Sequence, residues 1–330
     1  MKSILLLLII TLLGCSSNMK QEPISKSGIP VINLSEDVST VPSLLLSESA
    51  EKLEIVSLEM TDQSMLGEIR RIQVTDHNIW IDHGREFYIY RFSRSGKFLN
   101  KIGSIGQGPG EYTTYSTFLV DEDKKEVYII ANTNGVLAYD FEGNFKRKIV
   151  DIQTILQLFS SVYDQYILNN QKFFATQNFA LYRPIDKDSL WSFVSLGDDF
   201  QKKKYFKNPA HVGKEELIIA NRANMDRMVN YWREYLTSMD TYNGQLTLKY
   251  PDTDTIYCYD DATNQLLPQY AIFTDEEKGD YEATHLWFKD RKSFDYFSIF
   301  SYYPTKDFVY LIGSKGEEVY TYCYNKKDGS

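Results

Sequence analysis

Four histidines, His77, His83, His211 and His285, are the first residues to weigh for chemistry. A zinc site sets His or Cys at fixed spacings, such as i and i+4 on one helix face. None of the four stands so relative to another, and no cysteine accompanies them. His83, in Ile81-Asp82-His83-Gly84, reads as a solvated loop residue, with a ligand-facing role as the sharper alternative. No Gly-x-Ser-x-Gly elbow presents a serine nucleophile. Gly103, Gly106, Gly108 and Gly110 crowd one segment, but a phosphate-cradling loop opens a helix and carries Lys-Ser/Thr or a dinucleotide pattern. Here Glu111-Tyr112-Thr113-Thr114-Tyr115 follows, which is not helix-like. A crossing between two sheets, where Gly and Pro let the backbone turn, is the expected role. Asp121-Glu122-Asp123 and Asp275-Glu276-Glu277 present oxygens that suit calcium. Neither follows the calcium-loop spacing, and both are expected at solvated hairpin tips. No catalytic set, metal site or cofactor is therefore predicted.

One residue does carry a definite chemistry. Ile4 to Leu13 is almost wholly apolar, follows Lys2, and ends Leu12-Leu13-Gly14-Cys15. A run of about ten apolar residues behind one base fits a secretory signal. It is shorter than the roughly 20 residues a membrane-spanning helix needs. The ending resembles the bacterial lipobox, in which the cysteine thiol takes a diacylglycerol and cleavage falls just before it. Residues 1–14 are thus expected to be removed and Cys15 to be the lipid attachment site. Ser16, with no Asp after the cysteine, favours the outer membrane by analogy.

The net charge is −9, and becomes −10 once Lys2 is lost with the signal. An acidic chain without a basic stripe is a poor nucleic-acid binder and gains nothing from anionic lipid. The lipid itself must therefore supply the attachment. Cys258 and Cys323 sit in matching aromatic runs, Tyr257-Cys258-Tyr259 and Tyr322-Cys323-Tyr324. Two separate buried thiols are expected there rather than a disulfide.

The elements that would position any site are strands. Residues 16–50 hold nine Ser and three Pro, which suits a tether leading into extended segments. From Leu53 onward, short aromatic and β-branched runs alternate with Gly, Asn and Asp. Tyr (25) and Phe (19) are abundant enough to fill sheet cores or to stack on sugar rings, and composition alone does not separate these uses. The stretch Arg91–Ile102 matches Ala138–Ile149 at an offset of 47 residues, with Gly96 and Gly143 at the same turn position. Glycine supplies the positive φ of a tight hairpin. Weaker copies fall at Cys258–Asn264 and Cys323–Gly329, with a fainter one at Leu181–Asp188. A period of about 40–50 residues with four strands per unit marks a propeller blade. Residues 51–330 hold close to six such periods, of which five are countable. An all-β propeller with six blades is predicted, with the last blade in question because the chain stops at Ser330. Met225, Met228, Val229, Trp232, Leu236 and Met239 keep a helical spacing, so residues 224–239 are predicted as an inserted helix. Glu54–Leu58 is predicted to pair with the C-terminal sheet near Val309–Tyr324 and so close the ring.

Gly106-Gln107-Gly108-Pro109-Gly110-Glu111-Tyr112 resembles the signature of six-bladed β-propeller lipoproteins common in Bacteroidetes, relatives of NHL and TolB-like propellers. Leu53–Leu58, Gly67–Ile72 and Asp254–Tyr257 also look like that family, in the right order. The resemblance implies an address in the cell envelope and a structural role for the motif, and it brings no catalytic residue. A membrane-anchored, non-catalytic binding or scaffold module for a protein or saccharide is therefore expected. The alternatives are a calcium-dependent lactonase-like or NHL-lyase-like enzyme, and a truncated relative with little function of its own.

Overall fold

The computed structural model describes residues 28–34, 52–84, 86–158, 161–177, 191–201, 203–209, 212–213, 215–216, 238–250, 253–274, 297–315 and 318–329. Strand β1 (Val31–Asn33) comes first. Blade 1 is β2 (Ile69–Val74), β3 (Asn78–His83), β4 (Tyr88–Ser93) and β5 (Phe98–Ile102). Blade 2 is β6 (Tyr115–Asp121), β7 (Glu126–Ala131), β8 (Gly135–Asp140) and β9 (Phe145–Val150). A short helix, α1 (Ile152–Leu158), leads to blade 3: β10 (Ser161–Leu168), β11 (Gln171–Gln177), β12 (Trp191–Leu196) and β13 (Lys203–Lys207). Blade 4 is β14 (Ser238–Tyr242), β15 (Gln245–Lys249), β16 (Thr255–Asp260) and β17 (Gln265–Phe273). Blade 5 is β18 (Phe297–Pro304), β19 (Phe308–Lys315) and β20 (Glu318–Asn325).

Each blade is an antiparallel meander in chain order. The first strands meet between sheets, β6 with β10, β10 with β14 and β14 with β18. They therefore line the axis, and the arrangement is a β-propeller of five blades among the described residues. The sixth blade expected from the sequence is not among them.

The near-continuous apolar runs follow from burial on both faces. In β3, Trp80 packs toward blade 2 with Phe118, Ile129 and Tyr139, while Ile79 and Ile81 join Tyr90 and Phe92 on the opposite face. Further clusters fill the seams between blades 2 and 3, 3 and 4, and 4 and 5.

The repeat is a repeat of the outer hairpin. Gly96 closes β4–β5 with φ +84°, and Gly143 closes β8–β9 with φ +90°. Asn264, at φ 54°, takes the same place between β16 and β17. The third copy is corrected: blade 3 turns at Gly197–Phe200, between β12 and β13, with Phe200 at φ 59°. Residues 181–188 lie outside the described residues. A side chain at Gly96 would collide with the Ser57 carbonyl, and a Cβ at Gly143 would lie 2.6 Å from the Lys101 carbonyl. Either Gly→Val change is expected to lower stability by at least about 1 kcal/mol, read as the urea midpoint, because β-branched residues tolerate positive φ poorly.

One expectation changes. Glu54–Leu58 does not pair with β18–β20. It runs as coil along blade 1, where Val56 and Leu58 cover Ile79, Ile81, Tyr90 and Phe92. Glu59 N–H donates to the Gly96 carbonyl at 2.8 Å, and the Glu59 carboxylate accepts from Phe98 N–H at 2.9 Å. The uncovered apolar face of blade 1 lies close along the chain, and burying it outweighs adding a distant strand. β1, from the extended segment expected after the tether, pairs in parallel with β17 as a fifth strand of blade 4. The predicted helix lies at 224–237 outside the described residues, and its last residue, Met239, belongs to β14, buried opposite Leu248.

Candidate functional site at the ring axis

The glycine-rich motif folds as a structural crossing from β5 to β6. The Glu111 carboxylate turns back and accepts from Gly108 N–H at 2.8 Å, and side chains at Gly106 or Gly108 would press on it. Gly110, at φ +76°, lies against the Phe145 ring. Tyr112 is fully buried, and its hydroxyl donates to the Phe87 carbonyl at 2.8 Å. Gln107 and Pro109 complete the turn. The motif thus closes on its own carboxylate and anchors the seam between blades 1 and 2.

His83 is not a loop residue. It ends β3, is buried, and its Nε2 accepts from Gly67 N–H at 2.7 Å. Beside it, buried Asp82 accepts from Arg70 at 2.8 Å and from the Tyr115 hydroxyl at 2.6 Å. Asp121 is also more buried than a tip residue would be, and it accepts from Lys124 N–H at 3.0 Å, holding the β6–β7 turn. Asp275–Glu277 and Cys15 lie outside the described residues. Cys258 and Cys323 are free and half-buried, and burial pushes both thiols up. Among the described residues no three His, Cys, Asp or Glu side chains gather as a metal site would require.

Polar side chains gather instead on the axis. In β2, β6, β10 and β18 the register slips by one residue, between Ile69 and Arg71, Tyr115 and Thr117, Val162 and Asp164, and Ile299 and Ser301. A bulge re-aims the side chains that follow it. In β2 it separates two neighbours: Arg70 turns to Asp82, while Arg71 turns inward. Arg71 Nη1 lies 3.4 Å from Thr117 Oγ1, and Nη2 lies 3.7 Å from Asp164 Oδ1. Tyr166, two residues along β10, sets its hydroxyl 3.4 Å from Asp240 Oδ1 on β14. Buried Tyr302 on β18 interacts electrostatically with Asp164, Tyr166 and Asp240. Four of the five first strands therefore bring a polar group to one cluster, while Tyr302 on β18 is packed in the seam between blades 4 and 5.

The electrostatics are unusual for exposed aspartates. Asp164 is 30% exposed, yet its carboxyl is pushed up to about 7. Burial is the main cause, Asp240 adds like-charge repulsion, and Arg71 opposes both. Asp240 is raised as well, again chiefly by burial. Gln165, between Asp164 and Tyr166, ties β10 to β6 through Nε2 and the Phe118 carbonyl at 2.9 Å.

No motif marks this cluster. The signal that would have found it is the repeat itself: Arg71, Thr117 and Asp164 stand 46 and 47 residues apart, one blade period each.

The fold and site define a β-propeller with a polar axis. Within that class, the chain belongs to a family described as a domain of unknown function (DUF4934), whose profile matches residues 29–330. The structure is similar to that of a Bacteroides fragilis protein described as exported, at 18% identity and TM-score 0.63, covering 91% of this chain and 78% of that one. It is also similar to a DUF4221-family member from Bacteroides vulgatus, at 12% identity and TM-score 0.50, covering 83% and 82%. At these identities the likeness is one of fold. No curated protein sequence matches the chain.

Proposed function

We propose that this is a lipid-anchored, non-catalytic propeller of the cell envelope that binds a protein or saccharide ligand at the mouth of its axis. The convergence of Arg71, Thr117, Asp164, Tyr166 and Asp240 from four strands carries the reading. A ring presents few other places where donors and acceptors from separate sheets meet, and convergent polar groups fix a ligand's orientation. The signal run and Cys15 supply the address, and the exported description of the similar Bacteroides fragilis protein supports export. Among the described residues no helix is long and apolar enough to cross a membrane. The lipid on Cys15 would therefore be the attachment, and two or more acyl chains, at about 0.8 kcal/mol per buried CH₂, hold a protein stably on a bilayer. The outer membrane is the expected location.

Changing Cys15 to Ser is expected to release the protein from washed membranes or leave it unprocessed. Retention after a carbonate wash would place the anchor elsewhere. For the binding role, envelope proteins and saccharides captured by the lipidated wild type are compared with those captured by an Arg71→Ala, Asp240→Ala variant. Loss of the captured species supports axial binding, and equal capture moves the binding surface off the axis.

A second reading has one observation in its favour. Asp164 and Asp240 are inward-facing acids, and Asp164 is tuned into the range that suits a general acid or base near neutral pH. A lactonase-like propeller that uses calcium would bind one ion tightly per chain, which equilibrium dialysis measures directly.

A further inference from the structure

We propose that the axial cluster is a proton-operated tie between blade 1 and blades 3 and 4, with Asp164 as the group that takes up and releases the proton. The tie is independent of whether a ligand binds there. Four elements besides its own strand face Asp164 or its neighbours: β2 with Arg71, β6 with Thr117, β14 with Asp240 and β18 with Tyr302. Tyr166 faces it from β10 itself. Among these groups Arg71 is the one cation, set against two carboxylates.

The geometry gives each protonation state a different set of partners. When Asp164 releases its proton to water, the carboxylate gains an attraction to Arg71 Nη2 and a repulsion from Asp240. The first acts across the axis and draws β2 in; the second acts between neighbouring strands and presses β14 away. When Asp164 holds the proton, the pull on Arg71 falls to that of a neutral hydroxyl, and the repulsion from Asp240 disappears. Its raised position near 7 puts the exchange in the neutral range. Blade 1 has reason to depend on the tie. Ile72 and Val74, on its first strand, are each 55% exposed, so apolar packing holds β2 only weakly on that face.

The sign follows from linkage. The folded state holds the proton more tightly than the unfolded chain, so Asp164 favours folding most at low pH. That advantage is lost as pH rises from the ordinary aspartate range through about 7. Asp164→Asn, always neutral, should therefore match the wild type near pH 4 and melt higher than it at pH 8.

The decisive experiment is a carboxyl-carbon NMR titration of the full chain, with Asp164→Asn assigning the signal. The expected midpoint is about 7. Arg71→Met should move it up, since a cation is removed, and Asp240→Asn should move it down, since a like charge is removed. A purely structural role would not shift the two variants in opposite directions. Should Arg71→Met fail to fold, Arg71→Lys, with a shorter reach and the same charge, is expected to move the midpoint up by less. Rate-corrected amide exchange of residues 69–74 should be faster below the midpoint than above it, and independent of pH in Asp164→Asn. A midpoint in the ordinary aspartate range, or shifts of one sign in Arg71→Met and Asp240→Asn, would overturn the proposal.

Discussion

Tyr112→Ala is expected to lower the stability of the propeller by about 3–5 kcal/mol, and Tyr112→Phe by about 1 kcal/mol. The first figure follows from removing a fully buried ring at the seam of blades 1 and 2, where it meets Tyr115 edge-on at 5.6 Å. Collapse into the space is hindered, because two sheets rather than a flexible loop bound it. The second figure is the loss of one hydrogen bond, leaving the Phe87 carbonyl without that donor. Gly103 gives a related control. Its φ is +103°, and a Cβ there would strike the Tyr112 hydroxyl, so Gly103→Ala should damage the same seam. Urea unfolding of these variants would decide the matter. If Tyr112→Ala costs no more than the phenylalanine, the motif does not anchor the seam.

The second large effect is expected at Lys172. Its side chain is fully buried on β11, with Nζ 2.8 Å from Asp198 Oδ1 and over the rings of Tyr128 and Phe200. Asp198 is half exposed and also binds Lys124, which joins the β6–β7 turn to the pair. Both lysines hold the Asp198 carboxyl below its ordinary range. Breaking a buried pair from one side costs about 3–5 kcal/mol, because a charge is left unpaired. Solvent around Asp198 reduces this, so Asp198→Ala is expected to cost about 2–3 kcal/mol. Adding Lys172→Met should return most of that loss, since methionine fills the aromatic box without a charge. A double variant no more stable than Asp198→Ala alone would mean that the rings, not the ion pair, hold this seam.

The architecture was legible in the sequence where local chemistry and the fold agree. Gly96 and Gly143 adopt positive φ because the hairpin demands it, so their 47-residue spacing exposed the blade period directly. Asn264 was readable for the same reason. The third blade was misplaced because its turn uses Phe200 in the left-handed region, a residue with no turn signature. The path of Glu54–Leu58 was misread because short β-prone runs look alike whether they pair as strands or cover an apolar face as coil. The axial cluster escaped notice because its members are ordinary residues scattered over several blades. Bulges in β2, β6 and β10 help aim these side chains, and a bulge leaves no mark in a single sequence. His83 misled in the opposite way: a polar residue beside glycine reads as loop, whereas here the ring nitrogen satisfies the Gly67 amide inside the fold.

The placement of β1 has a mechanical consequence. Among the described residues the chain first joins the ring through β1, so a pull arriving at Gly28 is met at the outer edge of blade 4, not at its axis. There it meets three residue pairs, Val31 with Ala271, Ile32 with Ile272 and Asn33 with Phe273. Those pairs run parallel to β17, so a load along the chain shears several backbone hydrogen bonds together instead of opening them in turn. Buried Ile32 adds friction to the slide. The strand therefore acts as a shock absorber that is loaded before the blades are. Asp240 of the axial cluster lies on β14, at the opposite edge of that sheet, three strands beyond β17.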